Sequence, residues 1–159
     1  MNPDEVSEAT TEAAQAAEHL AAHLDRLIDR MRHLLPVDPA DLQNWGDDPW
    51  ERLHALLRMF EQLYDLTSRK LFRGYLVLSG ETVVGLSARN QFRRVEALGG
   101  IASADRWLEI SATRNILVHD YPTNVAARAQ RANRAWADLP DLISQTRRTI
   151  AALRTEHLI

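Results

Sequence analysis

The chain has 159 residues, 45% of them hydrophobic, no cysteine, and a formal net charge of −3. That is enough for one domain with a real core, and too apolar for disorder along the whole chain. The missing cysteine excludes a disulfide framework, a thiolate metal site and a cysteine nucleophile. No apolar run approaches the roughly 20 residues of a membrane span. The N-terminal stretch MNPDEVSEATTEAAQ is acidic and lacks the basic and apolar regions of a signal peptide. The expectation is a cytoplasmic protein with no membrane partner.

The charge is unevenly spread. Up to Glu51 there are 12 acidic and 3 basic residues; from Arg52 onward there are 10 and 16. A basic second part suits an anionic partner such as RNA. A solvated, salt-paired helical surface produces the same count and is the commoner cause.

The periodicity is helical almost throughout. Leu20, Leu24, Leu27, Met31 and Leu34 form one amphipathic stripe, which Pro36 and Pro39 end. VDPADLQNWGDDP reads as a connector. The next helix is expected to start with Asp48 as N-cap and Pro49 in its first position. Its stripe runs from Leu53 to Leu78, with Gly74 a place for a bend. ETVVGLSARNQFRRVEALGG reads as a third helix, closed by Gly99 and Gly100. Ser103 is the expected N-cap of ADRWLEISATRNILVHD, which Pro122 stops near Asp120. The alanine- and arginine-rich remainder, from about Asn124 to His157, is expected to be split or kinked at Pro140. The fold class is all-α, a four- to five-helix up-down bundle. Residues 1–48 form an acidic N-terminal helix and connector of that same domain, and 49–159 its core.

The stretch RNILVHDYP carries the densest chemistry. Trp107, Ile110, Arg114 and Leu117 follow one stripe, which places Arg114 on the packed face. A guanidinium there needs an anion or other acceptors. Asn115 and His119 share a face four residues apart. His119 falls in the last turn, where the helix dipole favours its protonated form. Spacing alone also allows a structural reading, and favours it: an arginine paired with a core carboxylate and a histidine bonding the last carbonyls.

RNILVHDY matches the R-x4-H-x-Y signature of the HEPN superfamily through Arg114, His119 and Tyr121, with Asn115 at the polar position after the arginine. With SARNQFRRVEALGGI before it, the chain resembles the HEPN toxins of HEPN/MNT toxin–antitoxin pairs over roughly residues 53–136. The resemblance implies a HEPN-like bundle that dimerises through the motif helix, joining two arginines and two histidines in one cleft. It implies a metal-independent endoribonuclease, with Arg114 and His119 catalytic, Asn115 supporting, no cofactor and no DNA substrate. It implies a cognate MNT-type nucleotidyltransferase antitoxin that attaches AMP to Tyr121. Some HEPN members instead only bind nucleotides or assist a nucleotidyltransferase.

The residue types suit RNA cleavage by the 2′-hydroxyl. Histidine transfers protons near neutral pH, and arginine holds phosphate. Two basic clusters, Arg69, Lys70 and Arg73, and Arg89, Arg93 and Arg94, are candidates for guiding an RNA backbone, beside ordinary solvation. His19 and His23 have zinc-compatible spacing but no evident third ligand, so no metal site is expected. The four tryptophans read as packing residues.

Overall fold

The computed structural model describes residues 2–119 and 122–159. Among these the chain is all-helical: α1 (Pro3–Met31), α2 (Pro39–Gln43), α3 (Asp47–Leu66), a π-turn (Thr67–Leu71), α4 (Phe72–Leu78), α5 (Ala88–Ala97), α6 (Ala104–His119) and α7 (Val125–Thr155). No helix among the described residues is long and apolar enough to cross a membrane.

α1 starts far ahead of its leucine stripe. Asn2 accepts the Glu5 backbone N–H while the Glu5 carboxylate accepts that of Asn2, and Pro3 occupies the first turn. This capping box satisfies two donors that the helix cannot. The first half of α1 buries small residues: Thr10, Ala13, Ala14, Ala17 and Ala21. They let the helix lie close to α3 and α4. Gly74 belongs to this contact, because a Cβ there would collide with the Thr10 side chain. Close approach, rather than a bend, is its role. The departure from α geometry lies just upstream, in the π-turn.

Three further boundaries differ from expectation. α3 is capped at Gly46, so Asp47 and Asp48 both lie in its first turn, where the helix dipole favours carboxylates. The third helix begins only at Ala88, with Ser87 accepting the Asn90 N–H as its cap. Residues 81–87 ahead of it are non-helical, with Gly85 at a φ of 78° and Val84 86% exposed. Val83 packs against the core from this non-helical segment while Val84 does not, so the pair mimicked a helical stripe without forming one. α7 runs unbroken through Pro140. That proline is exposed, while Leu139, Leu142 and Ile143 around it are buried. Their burial offsets the roughly 3 kcal/mol that an interior proline costs.

The apolar stripe of α6 faces inward. Trp107 is 1% exposed, Ile110 0% and Leu117 4%, all covered within the protomer. Trp107 stacks on Tyr64 at 5.4 Å and meets Phe72 at 4.9 Å and Phe92 at 6.4 Å. The apolar stripe of the motif helix is therefore used by the monomer's own core. What α6 leaves outside is a line through Asp105, Glu109, Ala112, Asn115, Val118 and His119.

Candidate functional site

α6 lies against α3 and α7. Its α3 side is fixed by a ladder of polar contacts. Trp107 Nε1 donates to Ser68 Oγ at 3.0 Å, and Ser111 Oγ meets the Tyr64 hydroxyl while donating to the Trp107 carbonyl. The third rung is Arg114. Its Nη2 donates to Asp65 Oδ2 at 3.0 Å, and Nε lies 3.0 Å from Asp65 Oδ1 at an angle too oblique for a hydrogen bond. The Arg114 side chain is 15% exposed and that of Asp65 33%. Asp65 thus holds the guanidinium through one charge-assisted hydrogen bond and one close ionic contact. Nη1 faces the other way, 3.4 Å from Asn115 Oδ1.

Asp65 was not singled out in the sequence, where it is one acid among many on α3. The signal that points to it is its place two residues before the π-turn. Extra-residue turns of this kind re-aim side chains and often occur at functional sites. Asp65 also lies 3.9 Å from Arg69 Nε, which links the first basic cluster to the motif. Arg69, Lys70 and Arg73 are all exposed.

The second cluster is placed differently. Arg94 is paired with Glu81 at 2.7 Å, while Arg89 and Arg93 are exposed on α5. α5 reaches α6 through Phe92 at Trp107, roughly 18 Å of helix axis before His119. Asn115 and His119 are exposed, and His119 is the last residue of α6. Tyr121 lies outside the described residues. His19 and His23 are exposed on α1, and no group of three metal-ligating side chains exists among the described residues.

The α7 side of α6 carries a second polar network. Thr113 donates to Asp138, and Arg134 Nε donates to Thr113 at 2.9 Å. Arg106 reaches Asp138 at 2.8 Å and Asp141 at 2.8 Å. Burial alone would lower the Arg106 pKa, but its bonds to Asp141 and Asp138 outweigh that and hold it above its ordinary value. These groups are consumed by packing.

Beyond the end of α6, the first turns of α7 fold back onto the motif segment. Asn124 caps α7. Arg128 Nε donates to the Pro122 carbonyl at 3.1 Å, and Arg131 Nη2 donates to the Leu117 carbonyl at 2.8 Å. Between them and α3 opens a cleft of about 360 Å³. Its floor is Trp50, Leu53, Leu57 and Pro122, and its polar lining is His54, Arg58, Glu61, Arg128 and Arg131. Sequence reasoning missed this cleft, because its residues come from segments more than 60 positions apart. Glu61 lies one turn before Asp65 on α3, so the cleft and the Arg114 pair share one helix face. No family model, curated protein or solved structure matches this chain.

Proposed function

We propose that the protein is a HEPN-like, metal-independent endoribonuclease, the toxin of a two-gene pair, acting as a dimer. The reading is carried by one placement: Arg114, Asn115 and His119 occupy the last one and a half turns of a single helix, beside an arginine-lined cleft. In the reaction the RNA 2′-oxygen forms a bond to phosphorus and the bond to the 5′-oxygen breaks. The products are a 2′,3′-cyclic phosphate and a 5′-hydroxyl. One proton leaves the 2′-hydroxyl and one reaches the departing 5′-oxygen. His119 serves one transfer, and His119 of a second copy serves the other. Arg114, aimed by Asp65, offers its outward Nη1 edge to the phosphate oxygens. A nucleotidyltransferase partner silences the enzyme by attaching AMP to Tyr121, whose added phosphate competes for the same cation.

The test is cleavage of a single-stranded RNA by purified protein. Cleavage persists in EDTA, leaves cyclic phosphate ends, and falls by about 2.7–4 kcal/mol of transition-state stabilisation in Arg114→Ala, the scale of a lost oxyanion donor. Activity abolished by EDTA, or retained in full by Arg114→Ala, contradicts the mechanism. One observation favours a second reading, a non-nuclease subunit assisting a nucleotidyltransferase: Arg114 already has a carboxylate partner in its own protomer. A wild type that cleaves no RNA, yet binds such an enzyme, selects this reading.

A further inference from the structure

The cleft between α3 and the start of α7 gathers more positive charge than its one carboxylate, Glu61, offsets. Three arginines and a histidine from two helices converge on one opening. Such a gathering of like charge carries a repulsive cost unless an anion occupies it. Among the described residues the ion pairs here are limited to Arg58 with Glu61 at 3.2 Å. Among the described residues Arg131 Nε is shut off from solvent without an acceptor. The rest of the lining, by contrast, is apolar. Trp50 forms part of it, with the Arg128 guanidinium 5.7 Å from the Trp50 ring centroid and the His54 ring 5.7 Å away. An aromatic surface beside several guanidinium groups is the chemistry that holds a base and its phosphate together. A cleft of about 360 Å³ falls within the range that takes one small ligand.

We infer that this cleft binds a nucleoside monophosphate unit, its base against Trp50 and its phosphate toward Arg58 and Arg128. The unit is either a free mononucleotide or one residue of an RNA strand. This binding does not depend on cleavage, since no bond changes. Arg131 is a holding residue for the end of α6 through the Leu117 carbonyl, so it is a poor test position. Arg58 is a good one: its side chain is 68% exposed.

The experiment is calorimetric titration of the full-length protein with AMP, adenosine, inorganic phosphate and a non-cleavable 2′-O-methyl oligoribonucleotide. AMP is expected to bind more tightly than either adenosine or phosphate. Arg58→Gln weakens AMP about fivefold or more while leaving adenosine unchanged. Trp50→Leu weakens both AMP and adenosine by about tenfold, the scale of one lost stacked base. Unchanged helical content by circular dichroism in each variant confirms that folding is intact. If the oligoribonucleotide displaces AMP at much lower concentration, the natural source is a strand; if it fails to compete, the source is a free nucleotide. Absence of AMP binding at millimolar concentration, or binding by both variants equal to wild type, overturns the inference. AMP binding that persists in a chain inert toward RNA would remove the nuclease reading and leave this one standing.

Discussion

The two ends of α6 are built differently. In its first half every polar side chain that points inward has a job in the fold: Trp107 donates to Ser68, Ser111 meets Tyr64, and Thr113 meets Asp138. In its last turn and a half the pattern thins. Arg114 is held on one edge only, and Asn115 and His119 face outward. A helix end that merely had to stop would need an αL residue or a proline, not three polar groups of distinct chemistry. The contrast separates residues the fold requires from residues it leaves available.

Mutations in the first half should cost stability above all. Trp107→Ala removes an aromatic ring packed against three others, and is expected to destabilise by about 3–5 kcal/mol in urea unfolding. A loss under about 1 kcal/mol would mean that this region is not the core described. A related expectation concerns pH. The Tyr75 hydroxyl is buried, with its single proton placed between the Glu156 carboxylate at 2.6 Å and the Leu98 carbonyl at 2.9 Å. Burial, then the bond to Glu156 and its charge, push the Tyr75 pKa well above its ordinary value. A raised tyrosine pKa stabilises the folded state at pH values below the unfolded pKa of about 10, and that contribution drains away as pH rises above it. Unfolding free energy should therefore fall between about pH 10 and 12. Tyr75→Phe should be about 1–2 kcal/mol less stable at neutral pH and lose less on alkalinisation. Parallel curves for the two proteins would contradict this.

Asp65 sits at the boundary between the two halves, and its effect should be mixed. Asp65→Ala is expected to cost about 1–2 kcal/mol, because bonds to charged groups contribute about 1.5–3 kcal/mol and this one is part-exposed. Under the proposed function, kcat should also fall about tenfold while KM changes little, since Arg114 stays present but unaimed. Asp65→Glu should recover part of kcat. An effect on stability with no effect on kcat would make Asp65 purely structural.

How legible this was varies by element. The all-α class was readable because Leu24, Leu27 and Met31, and then Leu53 to Leu63, repeat at helical spacing and are buried. The first half of α1 was not read as a packed helix because its buried face is alanine, which carries little hydropathy signal. Asn2, Pro3 and Glu5 did carry a capping signal. Val83 and Val84 misled in the other direction: Val83 packs against the core from a non-helical segment, and Val84 stays exposed. Pro140 misled because local cost was weighed without the tertiary burial on either side of it. At the site, the placement of Arg114 on the packed face was readable from its stripe, and its carboxylate partner was foreseen in kind but not by name. Asp65 and the cleft depend on how α3 and α7 meet, and no local spacing encodes that.

The most direct measurement is made on His119→Ala, with urea unfolding and RNA cleavage followed on the same preparation. His119 is exposed at the helix end, so its loss should leave unfolding free energy within about 0.5 kcal/mol of wild type. Cleavage should fall by about 100-fold or more, the scale of a lost proton-transfer group. Cleavage at the wild-type rate, or a stability loss above about 1 kcal/mol, would contradict the claim that the end of α6 is spared by the fold for chemistry.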